Sequence, residues 1–92
     1  MPKFIKKPSQ IEAREYTGKN AEEIMFWIGS NMTFKDERPV QLVKGQLFLK
    51  SPEGEYLVMP YDWIVKGESA TLGVHFWPVK PDYFEENYQE VN

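Results

Sequence analysis

The chain is predicted to be an α+β protein: an antiparallel, strongly bent or partial-barrel sheet with one packed helix and a short C-terminal helix. Three observations predict this. Apolar and polar residues alternate in short runs between residues 40 and 66, broken by Gly, Pro and Asp, the period-two pattern of strands joined by tight turns. Residues 20–28 instead place apolar side chains at helical spacing behind a capping signal. The strand runs follow one another directly, which favours antiparallel hairpins over strand–helix–strand crossovers. At 92 residues the chain has room for one core and is expected to be a single domain, 1–92.

The elements follow in order. Residues 1–10 are basic at Lys3, Lys6 and Lys7 and contain no apolar signal core. Residues 11–16 alternate, with Ile11, Ala13 and Glu15 on one side, Glu12, Arg14 and Tyr16 on the other, and Thr17-Gly18 closing the strand. Asn20 is a good helix N-cap, and Glu23 stands where a capping box places its acid. Ala21, Ile24, Met25 and Ile28 follow, with Trp27 beside them and Phe26 further round, so the helix is apolar over more than one stripe and is expected to face two surfaces. Gly29 is the expected stop. Residues 30–39 carry Lys35, Asp36, Glu37 and Arg38, the mixed charge of a solvated loop.

Val40, Leu42, Leu47 and Leu49 alternate around Lys44-Gly45, which predicts two strands and a tight turn. Ser51-Pro52-Glu53-Gly54 is a second turn, with Pro and Gly where turn geometry wants them. Residues 55–59 form the return strand, 63–66 the next, and 74–77 another after a loop from Gly67 to Gly73. Pro81 suits the first position of a helix, Asp82 complements its N-terminus, and Phe84 and Tyr88 share one face. That helix docks the chain end on the sheet, with residues 87–92 expected to fray.

Composition excludes several classes of function. There is no cysteine, so neither disulfides nor thiolate metal sites are available, and the single histidine, His75, cannot build a His-rich site. Glu85, Glu86 and Glu90 form a solvated face without calcium-ligand spacing, so no metal and no cofactor is expected. The glycines stand singly at turns rather than in a phosphate loop. With 14 acidic and 11 basic side chains and a net charge of −3, the chain lacks the basic stripe of a duplex binder. No hydrophobic run approaches the roughly 20 residues of a membrane span. The expectation is a cytoplasmic protein with no membrane and no duplex nucleic acid among its partners.

At Pro60-x-Asp62-Trp63-Ile64-Val65-Lys66-Gly67 and Lys80-Pro81-Asp82-x-Phe84-x-x-x-Tyr88 the chain resembles a family of small bacteriophage and prophage proteins of Gram-positive hosts. Lys6-Lys7-Pro8, Ile11-Glu12-Ala13 and Tyr16-Thr17-Gly18 are similar to that family's basic start and first strand. The resemblance implies a phage origin and action in the host cytoplasm, and it brings no established catalytic residues. The family usually has Gly where Tyr61 stands and often Cys where Val79 stands. A thiol role therefore does not carry over, and with Tyr61 the turn cannot demand a positive φ as firmly as a Gly would allow.

The candidate ligand-binding residues are Tyr61, Trp63, Lys66, His75, Trp77 and Lys80. His75 and Trp77 share one strand face and Val74 and Phe76 the other, so one pair faces the core and the other faces solvent or a pocket. Aromatic faces offer stacking, and lysines at 66 and 80 offer point charges for a phosphate. No nucleophile–base pair accompanies His75, so no catalytic residue is assigned and the protein is read as a non-catalytic binder. The expected ligand is a small anionic, nucleotide-like molecule or a host protein, which would make the protein a counter-defence factor. The alternative is an accessory component of the virion or of DNA metabolism. Asp62 and Trp63 also have a plainer reading, with the carboxylate bonding turn amides and the indole filling the core. The six Phe, five Tyr and three Trp exceed what one small core hides, so a two-fold homodimer is expected.

Overall fold

The computed structural model describes residues 11–31, 39–51, 53–69 and 73–89. The basic start, the charges at 35–38 and the last three residues lie outside the described residues. Along the chain the elements are β1 (Glu12–Glu15), α1 (Ala21–Ser30), β2 (Val40–Val43), β3 (Gln46–Ser51), β4 (Gly54–Val58), β5 (Trp63–Ser69), β6 (Gly73–Val79) and α2 (Pro81–Asn87). The protein is α+β, as its alternating runs and capped helix imply.

The strands do not form one bent sheet or a partial barrel. Among the described residues they make two three-stranded antiparallel sheets, ordered β1-β5-β6 and β2-β3-β4. The cause lies at the turn between β4 and β5. There Tyr16 donates its N–H to Asp62 O at 2.8 Å, and the Tyr61 N–H donates to Tyr16 O. These bonds hand β5 to β1, leaving β4 with β3 alone. Pairing then runs Ala13 opposite Val65 and Glu15 opposite Trp63, and Trp63 opposite Val79 and Val65 opposite Trp77.

Local chemistry shapes the hairpins. Lys44 at φ 49° and Gly45 at φ 77° form the two-residue turn with both φ positive that suits the right-handed twist of β2 and β3. At the next hairpin Ser51 Oγ accepts the Glu53 N–H at 3.2 Å and donates to Gly54 O at 3.3 Å. Strands β5 and β6 run longer than the alternation alone suggested, through Ser69 and Val79.

Helix α1 sits where the two sheets meet. Ile24, Trp27 and Ile28 are buried in one cluster with Tyr16, Val40, Leu47, Leu49, Val58, Ile64 and Phe76, so both sheets and the helix share one core. Trp27 meets Phe76 edge to face, with ring centroids 5.3 Å apart, a favoured aromatic geometry. Arg14 closes the edge of this core, its guanidinium 5.1 Å from the Trp27 ring centroid and 3.4 Å from Glu23. Replacing Leu47 or Leu49, both fully buried, with alanine should cost about 2–5 kcal/mol.

The helix ends differ from the sequence reading. Asn20 holds the expected N-cap position, its C=O accepting the Ile24 N–H at 3.0 Å, but its side chain makes no cap; its Oδ1 accepts the Thr17 N–H at 2.8 Å and its Nδ2 donates to Glu15 O at 2.9 Å. The amide thus ties α1 back to β1, and Glu23 is engaged by Arg14 instead of completing a capping box. Gly29 is not the stop. The helix runs on to Ser30 and is closed by Asn31, whose N–H bonds Ile28 O at 3.1 Å and whose Nδ2 bonds Trp27 O at 2.8 Å.

Candidate functional site

The site grows from the turn of residues 59–62. Pro60 takes the second turn position, Tyr61 adopts φ 75°, and the Asp62 N–H donates to Met59 O at 3.0 Å, the pattern of a turn that normally places Gly third. The turn thus takes a positive φ at this position although no Gly stands there to make it easy. The backbone bonds to Tyr16 on one side and the Asp62 carboxylate on the other over-determine the turn, and the left-handed residue is tolerated within them. The Asp62 carboxylate is 3% exposed. It accepts the Met59 N–H at 2.9 Å and the Lys80 ammonium at 3.1 and 3.3 Å. Residues 18 positions apart are thereby clamped together at the start of β5 and the end of β6.

Directly paired residues share a face, so Trp63, Val65, Gly67, His75, Trp77 and Val79 line one side of the β1-β5-β6 sheet. Ile64, Lys66, Val74, Phe76 and Pro78 line the side that turns toward the core and α1. On the first side Trp63 is covered by the C-terminal segment. Its ring stacks on Phe84 at 4.1 Å, and Phe84 stacks on Tyr88 at 4.7 Å. Helix α2 buries none of its residues and is held by this aromatic ladder. Further along the same face the Trp77 indole lies over Gly67, where a Cβ would come within 2.5 Å of it. His75 stacks on Trp77 with centroids 5.2 Å apart, and its Nδ1 donates to Gly73 O at 3.0 Å. The glycine is what lets the indole come this close to the β5 backbone, and the stack holds the imidazole beside it.

Where the two sheets diverge, a groove of about 590 Å³ opens. One wall is Ser51, Glu53, Tyr56 and Leu57; the other is His75, Trp77, Pro78 and Val79, with Asp62 and Lys80 at one end. Most of the lining is aromatic or aliphatic. Among the described residues, Asp62 and Lys80 neutralise each other and Glu53 has no ion-pair partner, so the described lining carries no uncompensated positive charge.

Of the six residues expected at a binding surface, the structure gathers His75, Trp77 and Lys80 here. Trp63 shares their face but is stacked under Phe84, neither free as a platform nor part of the core cluster. Tyr61 is exposed on the turn and does not line the groove. Lys66 is on the opposite face, 20% exposed and 3.5 Å from Glu12, because its register places it beside Ile64 and across from Phe76. The sequence reading missed Tyr56 and Leu57, which lie on the return strand it did identify, and the role of Asp62 as the anchor of Lys80. Strand parity alone separates Lys66 from Trp63. The Asp62–Lys80 pair, by contrast, leaves no mark in local spacing.

Among the described residues no three His, Asp or Glu side chains gather as a metal site, and no helix is long and apolar enough to cross a membrane. Comparison of the chain with protein-family models, with curated proteins and with solved structures gave no match.

Proposed function

We propose that the protein is a non-catalytic binding module whose groove between β4 and β6 receives an apolar or aromatic side chain of a host protein. The observation that carries this reading is the groove's lining. Tyr56, Leu57, Trp77, Pro78 and Val79 supply most of its walls, and a largely apolar concavity with a few placed polar groups is the usual form of a binding site. A nucleotide-like ligand asks for two lysines beside the aromatics. The groove has one, and its ammonium is already held at 3.1 Å by Asp62, while Lys66 pairs with Glu12 behind the sheet. Withdrawing Lys80 for a phosphate would leave a buried carboxylate without its counter-charge, a cost that works against anion binding.

The resemblance of the Pro60 and Lys80 motifs to those of phage proteins supports a partner in a host cell, and obstruction of a host protein is the counter-defence activity that would follow. Photo-crosslinking tests the reading. A benzophenone amino acid replacing Trp77 should give, in host cells, a covalent adduct whose mass is not a multiple of this chain's, and the same group replacing Lys66 should give none. Equal labelling from both positions, or a nucleoside phosphate that raises the melting temperature of the wild type but not of Lys80→Ala, would reverse the assignment.

A further inference from the structure

The four outer strands are guarded unequally. Strand β6 carries Pro78 and lies against β3, β1 presents Glu12 and Arg14 tied to Lys66 and Glu23, and β2 has α1 against it. Each of these is a known way of blunting an edge. Strand β4 has only the charge of Glu55, which no ion pair among the described residues ties down. Among the described residues it has β3 on one side and no strand on the other. It contains neither Pro nor Lys, and Gly54 to Leu57 are all exposed, including Tyr56 at 37% and Leu57 at 39%.

The backbone groups left over on that edge can be identified. The Lys50 N–H donates to Pro39 O at 2.7 Å, so the peptide groups of Lys50 turn toward β2. Alternation turns those of Leu49 toward β4, where Tyr56 is its partner. Tyr56 therefore spends its N–H and C=O on β3, and Glu55 and Leu57 point theirs outward. Two donors and two acceptors, two residues apart, have no backbone partner among the described residues.

We propose that β4 pairs antiparallel with β4 of a second copy about a two-fold axis at Tyr56, joining two three-stranded sheets into one of six strands. Register decides between the self-pairings. Centred on Glu55, the pairing sets that carboxylate opposite its own copy, a repulsive arrangement. Centred on Leu57, it asks for Met59, whose N–H is held by the Asp62 carboxylate and whose C=O is held by the Asp62 N–H. Centred on Tyr56, Glu55 exchanges both bonds with the partner's Leu57, and Leu57 with the partner's Glu55. All four free groups are then satisfied, like charges stay apart, and the two Tyr56 rings meet as a close cross-strand aromatic pair. Each groove then borders the axis, with the partner's Tyr56 extending its wall. The pairing is independent of what fills the groove.

Sedimentation equilibrium without any ligand tests this. Wild-type protein should have the mass of a dimer at high micromolar concentration. Tyr56→Lys should give folded monomer, because the two introduced ammonium groups face each other across the axis. Leu57→Lys should remain a dimer, its ammonium set beside the partner's Glu55. Hydrogen exchange on the wild type should show the Glu55 and Leu57 amides protected, a readout that requires no variant to fold. A monomeric wild type, a Tyr56→Lys protein that stays dimeric, or fast exchange at both amides in a dimer would overturn the proposal.

Discussion

Replacing Gly67 with alanine puts a methyl group where the Trp77 indole lies. The added Cβ would stand 2.5 and 2.7 Å from two indole carbons and 3.1 Å from His75 Nε2, against an optimal carbon–carbon separation of about 3.5–4.0 Å. The indole must withdraw by about 1 Å, taking the His75 stack with it. The backbone at Gly67 lies outside the positive-φ glycines, so alanine meets no conformational strain and the penalty is steric. Overpacking of this kind costs about 1–3 kcal/mol, and the stiffer unfolded chain returns about 0.4–1 kcal/mol. The net loss should be about 1–2 kcal/mol, a fall in Tm of roughly 5–15 °C for a domain of this size. Urea denaturation followed by circular dichroism reads the loss, and repeating it in a Trp77→Ala background assigns it. With the indole gone the alanine should be neutral or mildly stabilising. The reasoning fails if Gly67→Ala is as stable as the wild type, or if its cost is the same with and without Trp77.

Tyr61→Gly should stabilise the fold by about 0.5–1 kcal/mol in the same denaturation assay, since the left-handed turn position costs a tyrosine more than a glycine; a loss of stability would show that the exposed ring makes a contact of its own. Asp62→Ala should cost about 1–3 kcal/mol by removing the buried acceptor that holds both the Met59 N–H and the Lys80 ammonium. Lys80→Met should cost about 1–2 kcal/mol, less because the lysine is 64% exposed; equal costs would show that the ion pair rather than the amide bond holds the turn.

The α+β class, the Lys44-Gly45 turn and the position of α1 were legible because each rests on local chemistry: alternation, a turn dipeptide and helical spacing. The division into two sheets was not, because it is made by backbone bonds between Tyr16 and residues 61 and 62, over 40 positions away. Asn20 shows the same limit at short range. Its residue type suits a bond to a helix amide, but its side chain bonds the Thr17 N–H and Glu15 O instead, tying the helix to β1. At the candidate site, strand parity sufficed to group His75 with Trp77. It failed for Tyr56 and Leu57, whose partners belong to another sheet, and for Tyr61, whose positive φ is imposed by the bonds on either side of it.

The central claim, that the groove accepts an apolar or aromatic group without needing an anion, is most directly tested by nuclear magnetic resonance. Isotope-labelled protein is titrated with N-acetyltryptophanamide and, separately, with adenosine monophosphate. The neutral indole should shift the Tyr56, Leu57, His75 and Trp77 signals and give intermolecular nuclear Overhauser effects to Trp77 and Tyr56, with Lys66→Ala unchanged and Trp77→Ala silent. Tighter binding of the monophosphate, lost in Lys80→Ala, or indole contacts centred away from these four residues, would contradict the claim.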